Sequence, residues 1–515
     1  MEQHSQFELF RQRRFMPFFM TQGLGAFNDN IFKNALAAVL VFEGSRLGGL
    51  NTDQVVNLSA MLFILPFFLF SALFGQFADK YEKSLQIRRI KLFEVVIMAL
   101  ATLGFWTDSV PLLLFVLFLL GLQSTIFGPI KYGILPQILK PQELVGGNAL
   151  VEMGTFVAIL AGTIAGPQLA GIDVSWPYWV GATGLAVAVT GYLFSLRIPR
   201  AEAVAPDLDI NWNIFSETIR NLKFLNENRV VLNSVLGISW FWFFGATFLV
   251  QIPSYSQNVL GGDENLMSGL LALFIVGIST GSLLCEKLSG RQVEIGLVPF
   301  GAIGLTLFGL DLYFASPTTP GEALTIGAFL ADGSNWRIIA DLMLIGVFGG
   351  FYIVPLYALV QSRSAPDHRS RVIAGLNILN ALFMVIAAIM AMLILGPVGL
   401  SIPELFLITA VLNAIVAIYI FTLVPEFLMR FLVWILIHTI YRVRVSGLEN
   451  IPDEGPVIIV SNHVSFVDPL ILGGMIRRPV RFVMYYRIYE IPVLKFIFRT
   501  GKAIPIAGRS ENEAV

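Results

Sequence analysis

Runs of apolar residues long enough to cross a bilayer recur along most of the chain, and no other feature limits its fold so strongly. Inside lipid every backbone N–H and C=O needs a partner within the protein, so such runs fold as a bundle of helices. With about 18 residues as the shortest span, twelve candidates can be marked. They lie near 16–42, 55–78, 91–107, 110–138, 146–171, 176–197, 230–256, 266–286, 292–315, 335–361, 371–398 and 403–425. Of the 515 residues, 56% are hydrophobic and 13% charged, against roughly 25% charged in a soluble domain. Lys and Arg number 34 and Asp and Glu 35, a balance that gives no reason to expect nucleic acid as a partner. The one cysteine, Cys285, excludes an internal disulfide and a cysteine-cluster metal site. Neither a metal nor a cofactor is expected.

The first apolar run follows "MEQHSQFELFRQRRF", exceeds the length of a signal-peptide core and lacks a small-residue cleavage site, so it reads as a retained span. Short loops rich in Lys and Arg stay in the cytoplasm. Lys80, Lys83, Arg88, Arg89 and Lys91 after span 2, and Arg363, Arg369 and Arg371 after span 10, mark one side as cytoplasmic. The opposite side has loops such as "GGDEN" at 261–265. Both termini then face the cytoplasm. Four regions follow: a six-span half at 1–197, a linker at 198–229, a second six-span half at 230–427, and a tail at 428–515. In the linker Ile214, Phe215, Ile219, Leu222 and Leu225 fall at helical spacing. They suit an amphipathic helix lying on the membrane or a linker helix packed on the bundle.

The halves echo each other. "GQFADKYEK" after span 2 has its counterpart in "SLLCEKLSG" after span 8. The stretch from Pro129 to Asn148 has one in Pro355 to Asn377. Repeated halves suit a transporter that rocks about a site at their interface. Gly75, Asp79 and Lys80, followed by Arg88 and Arg89, give a glycine, an acid four residues on, and then bases. This signature resembles that of the major facilitator superfamily. The resemblance implies an all-α, 12-helix fold of 6+6 pseudo-repeat and a charge relay at the cytoplasmic gate.

Charges inside spans are costly and mark function or pairing. "GAFNDNIFKN" places Asp29, Asn30 and Lys33 in span 1, with Lys33 one turn from Asp29. Lys131 in span 4 and Glu152 in span 5 are the other deep charges of this half. A lysine facing a cavity suits a phosphate and an acid suits an ammonium group, so these five residues are the candidate substrate contacts. The alternative is that Asp29 and Lys131 pair to hold spans 1 and 4 together. The second half offers Gln251 and many aromatics in span 7 but no cation there. Asp311, Arg337 and Asp341 read as a structural ion-pair cluster near the outer side. One polar wall and one greasy wall suit a substrate with a headgroup and a chain.

"QGLGAFNDN", "KYGILPQIL", "NALVEMGTFVAILAGTIAG" and "GVFGGFYIVPLYALVQ" together resemble the lysophospholipid transporter branch of that superfamily, over about residues 15–425. The resemblance implies a flippase that brings lysophospholipids such as lysophosphatidylethanolamine to the inner leaflet of the bacterial cytoplasmic membrane. Membrane lipids would be its surroundings, and Asp29 and Lys131 headgroup contacts. An exporter of amphiphilic small molecules with a non-catalytic tail is the competing reading.

The tail begins with "FLVWILIHTI" at 431–440, too short to span and so interfacial. "YRVRVSG" alternates like a strand, "PVIIVSNH" reads as a buried strand entering a loop, and a helix is expected from about Asp468. His463 and Asp468 fall between strand and helix, where a carboxylate can orient an imidazole that acts as a base. "NHVSFVD" at 462–468 resembles the first motif of glycerolipid acyltransferases of the 1-acylglycerol-3-phosphate type. That implies a partial α/β acyltransferase-like domain with His463 as base, Asp468 as its partner, and Asn462 and Ser465 shaping the loop. It also implies an acyl donor, an acyl carrier protein or coenzyme A thioester, in a longer parent protein. "GKAIPIAGR" echoes the second motif loosely through Arg509, and the later motifs are missing. The 515-residue chain is expected to be incomplete as an O-acyltransferase and inactive as an enzyme.

Overall fold

The computed structural model describes residues 6–43, 52–171, 178–288, 297–318, 324–423, 433, 436–437, 439–452, 455–476 and 480–507. Among these, twelve helices of 18 residues or more fall on the twelve apolar runs. In the first half they are α1 (Met16–Glu43), α2 (Thr52–Lys80), α3 (Lys83–Trp106), α4 (Val110–Ile138), α5 (Leu144–Gly171) and α6 (Tyr178–Ser195). A linker helix follows as α7 (Ile214–Asn226). The second half has α8 (Arg229–Asn258), α9 (Glu264–Leu288) and α10 (Leu297–Ala315), a short α11 (Ile326–Ala331), then α12 (Trp336–Arg363), α13 (Arg369–Leu395) and α14 (Ile402–Leu423). Nine of the twelve are long and apolar enough to cross a membrane. The other three are α1 and α3, which hold polar and charged residues described below, and α6, which is short.

The chain divides into two compact units, Met1–Glu294 with Gly301–Asn413, and Ile295–Phe300 with Ala414–Val515. In the first unit α1 packs on α5, α2 on α4 and α3 on α6, while α9 packs on α12 and α8 on α13. The halves meet where α2 lies against α13 and α5 against α9. Lipid tails are as apolar as leucine, so helices in a membrane gain most from close backbone approach at small residues. Gly277 and Gly281 on α9 face Gly346 and Gly350 on α12. A Cβ on Gly281 would stand 1.9 Å from the Val347 carbonyl oxygen, and one on Gly350 2.3 Å from the Ser282 nitrogen.

The linker helix α7 starts at Asn213, whose side chain accepts the Ser216 N–H at 3.1 Å, an N-cap worth about 1 kcal/mol. It lies against α2 and α13. Glu217, Asn221 and Leu225 form its buried side, and Phe215 and Ile219 remain exposed. The helix is therefore packed on the bundle by a largely polar stripe that includes Leu225, with Phe215 and Ile219 turned outward.

In the second unit α15 (Asp468–Met475) begins at the expected residue. β1 (Val483–Tyr485) and β2 (Ile504–Ile506) pair in parallel, with α16 (Tyr486–Tyr489) and α17 (Pro492–Thr500) making the crossover, as a parallel pair requires. The two strands read from sequence are not formed. Residues 441–447 and 456–465 are irregular. They have no strand neighbour among the described residues, and Ile458 and Val460 stand 92% and 88% exposed. An apolar alternating pattern becomes a strand only when a second strand takes its hydrogen bonds. Most of the expected interfacial helix at 431–440, and Arg509, lie outside the described residues.

The glycine seam sets a test. Gly281→Val is expected to push α9 off α12 and lower the melting temperature in detergent, since overpacking costs about 1–3 kcal/mol. Gly245→Ala, where a Cβ meets nothing within 4 Å, should leave it within a degree or two.

Candidate functional site

The site has two levels, a closed end and a polar interior. At the basic end, where α2 turns into α3, Asp79 is fully buried between the two halves. Its carboxylate accepts the backbone N–H of Ser370 at 3.1 Å and of Arg371 at 3.3 Å, and the Arg371 Nε–H at 3.2 Å. An acid at the start of α13 meets both the helix dipole and a guanidinium. Gly75, one turn earlier, makes the approach possible, since a Cβ there would stand 2.7 Å from that of Ala374. Of the bases after Asp79 in sequence, buried Lys83 stands near enough to share its charge, while others serve elsewhere. Arg88 donates to the Ile198 carbonyl at 3.2 Å, and Lys80 lies over the Tyr81 ring. The hydrogen-bond partners of the Asp79 carboxylate thus come from the other half, which adjacency in sequence could not reveal.

Two further contacts close the same end. Asn148 on α5 and Gln361 on α12 exchange side-chain hydrogen bonds of 2.7 and 3.0 Å, both buried. Tyr132 on α4 stacks on Tyr357 of α12 with ring centres 4.3 Å apart and planes 7° from parallel. The Tyr132 hydroxyl donates to Glu152 at 2.7 Å, so this acid, 1% exposed, supports the closing layer. Lys131 instead donates to Thr155 at 2.8 Å, and Thr155 in turn donates to Gln22 at 3.0 Å.

Inside the first half, near the middle of α1, Asp29 accepts from Ser124 of α4 at 2.6 Å. Its Oδ1 has no partner among the described residues, nor has the amide nitrogen of Gln22. Asp29 and Lys131 therefore do not pair with each other. Lys33 is exposed and sits 5.5 Å from the centre of the Phe63 ring. Asn30 gives its amide to the Ala26 carbonyl of its own helix and packs at Gly162 of α5.

Beside Asp29 lies a network that the sequence reading missed. Lys91 and Glu94 on α3 pair at 2.6 Å with 1% and 0% of their side chains exposed. Glu94 also accepts from Asn28 of α1 and Gln123 of α4, both at 3.0 Å. Lys83 and Lys91, expected as loop bases, instead lie within α3 and are buried. The available signal was a lysine and a glutamate three residues apart inside an apolar run. Such a pair survives in lipid only if it faces inward.

The second half lines its interior mainly with rings. Trp242 donates to the Tyr357 hydroxyl at 3.4 Å and stacks on Phe156 of the first half. Trp240 donates to Asn413 at 2.8 Å, and Ser239 to Asn380 at 2.9 Å. Arg337 holds Asp311 in a two-pronged pair, and Asp341 of α12 is 2% exposed.

In the second unit His463 Nδ1 lies 3.0 Å from Asp468 Oδ2. The same oxygen accepts the N–H groups of Val464 at 2.7 Å and Ser465 at 2.8 Å. These backbone donors, with His463, hold the Asp468 carboxyl below its ordinary range. The Ser465 hydroxyl accepts the Val467 N–H, and Asn462 is exposed on the same loop. With Nδ1 engaged, the imidazole presents Nε2 outward as a base. Among the described residues no group of His, Cys, Asp and Glu could hold a metal.

Residues 442–514 match the Acyltransferase family, and residues 18–333 match the Major Facilitator Superfamily. The lysophospholipid transporter LplT of several Escherichia coli strains is 29% identical over 353 residues, covering 67% of this chain and 79% of the relative. Among solved structures, the human organic anion transporter MFSD10 superposes with a TM-score of 0.65 at 13% identity, over 79% of this chain and 99% of that one. The E. coli fucose:proton symporter FucP gives 0.59 at 12% identity, over 79% and 98%. Architecture, paired halves and the match over 18–333 agree: the chain is a multi-pass membrane protein and belongs to the major facilitator superfamily.

Proposed function

We propose that this chain transports lysophospholipids, carrying them from the outer to the inner leaflet of a bacterial cytoplasmic membrane with both termini in the cytoplasm. The observation that carries the reading is the asymmetry of the interior. Asp29, Lys91, Glu94 and Lys131 belong to the first half, while aromatic side chains of α8 and α12 dominate the second. A zwitterionic headgroup takes an acid for its ammonium and a lysine for its phosphate, and a single acyl chain takes the aromatic wall. Relatives named as lysophospholipid transporters support the same substrate. Asp29 with Ser124, and Lys131 with Gln22 and Thr155, are the proposed headgroup contacts. Asn30, Lys33 and Glu152 support the surrounding helices. Closure at Asp79 and Arg371 corresponds to the state shut toward the cytoplasm.

The tail fits the second step of the same route. In a complete acyltransferase domain built on this motif, a hydroxyl of the arriving lysolipid attacks the carbonyl carbon of an acyl thioester bound to a carrier protein or coenzyme A. The proton passes to His463 Nε2 as the new ester bond forms, and the thiolate leaves and takes that proton. Asp468 fixes the ring's tautomer and stabilises the imidazolium.

Uptake of labelled lysophosphatidylethanolamine into proteoliposomes tests the reading. Asp29→Asn is expected to reduce the initial rate at least tenfold with expression and melting temperature kept. Normal uptake by that variant would make Asp29 structural, and no lysolipid uptake by the folded wild type would favour an exporter of other amphiphiles. His463→Ala should leave uptake unchanged, because the transport path does not involve the tail.

The gate gives a second test. Asp79→Asn keeps the volume but leaves Arg371 buried without its anion, a loss of about 3–5 kcal/mol. The closed state should lose population, so that a cysteine placed at Ser370 becomes at least tenfold more reactive to a water-soluble maleimide. Unchanged reactivity would mean that the amide and tyrosine contacts close this end unaided.

A further inference from the structure

Near the basic end a cavity of about 620 Å³ opens between the segment leading into α1 and the end of α6. Arg11, Arg13 and Arg197 supply its charge and Phe10, Met16 and Phe194 its apolar wall, and no carboxylate lines it. Two other arginines of this region are committed. Arg14 holds Glu143 through two bonds of 2.7 and 2.8 Å, and Arg88 donates to Ile198. The three cavity arginines are exposed and have no such partner among the described residues. Three like charges around one hollow repel each other unless an anion joins them.

A second observation indicates which anion. The same seam between α1 and α6 carries an apolar groove of about 380 Å³, bordered by Leu24, Trp179, Ala182 and Val187. A free phosphate would use the arginines and leave the groove unfilled. A glycerophospholipid would use both, headgroup in the basic cavity and acyl chain along the helices, as basic pockets at the membrane surface do. We infer that the α1–α6 seam is a binding site for an anionic diacyl phospholipid resident in the leaflet at the basic end. It lies apart from Asp29 and Lys131, so its occupant is not the transported molecule.

Native mass spectrometry of the whole chain tests this without any transport assay, and so stands apart from the substrate reading. The purified protein is titrated with phosphatidylglycerol or with phosphatidylcholine of the same acyl chains. One phosphatidylglycerol should bind at least tenfold more tightly than phosphatidylcholine and resist excess lysophosphatidylethanolamine. The triple variant Arg11→Gln, Arg13→Gln, Arg197→Gln should lose that preference, while Arg200→Gln keeps it. Should the triple variant fold poorly, Arg197→Gln alone is expected to weaken phosphatidylglycerol binding at least threefold. Equal retention of the two lipids, or unaltered preference in the arginine variants, would overturn the proposal. Displacement by lysophosphatidylethanolamine would assign the seam to the transported substrate instead. If inorganic phosphate raises the melting temperature as much as phosphatidylglycerol does, the site binds a plain anion and the lipid assignment fails.

Discussion

A charge within a bilayer must find its counterpart inside the protein, and the arrangement of this bundle follows from where each one does. Asp79 finds the start of α13 and Arg371. Glu94 finds Lys91, Asn28 and Gln123. Breaking either arrangement would strand an ion at a cost of several kcal/mol, far above the worth of an exposed ion pair such as Arg337 with Asp311. The first arrangement joins the two halves, and the second is internal to one half. Rocking the halves apart would break only the first, which is what a two-state gate requires.

The closing layer also reflects the internal repeat. Tyr132 lies three residues after Pro129 and Tyr357 two residues after Pro355, within the stretches that correspond between halves. These related tyrosines meet face to face. Asn148, at the end of one stretch, pairs with Gln361 within the other. Uncharged amides and stacked rings separate at modest cost, whereas Asp79 with Arg371 supplies the strong, directional part of the closure.

Much of this was legible from sequence. Apolar runs located all twelve long helices, and the glycine–acid spacing singled out Asp79. What it could not supply was partners distant in the chain: Arg371 lies 292 residues from Asp79, and its place after span 10 made it look like one more loop base. Lys91 was misassigned for the same reason, because a positive charge near a helix end reads as a topology signal until its glutamate is seen beside it. In the tail the His463–Asp468 contact followed directly from the motif, since five residues and a helix start bring the groups together. The strands at 441–447 and 456–460 did not follow, because a strand depends on a neighbour that local pattern does not encode. The unit structure of the tail therefore rests on β1 and β2, which were not foreseen.

We propose that lysolipid in the polar interior drives the halves to exchange closure at the Asp79 end for opening. Spin labels at Lys80→Cys and Asp367→Cys, with buried Cys285 replaced by serine, would report the distance across that end by pulsed electron resonance. A short distance is expected without ligand, and a second, longer population when lysophosphatidylethanolamine is added, absent in Asp29→Asn. A single distance that lysophosphatidylethanolamine leaves unchanged in a folded protein would contradict it.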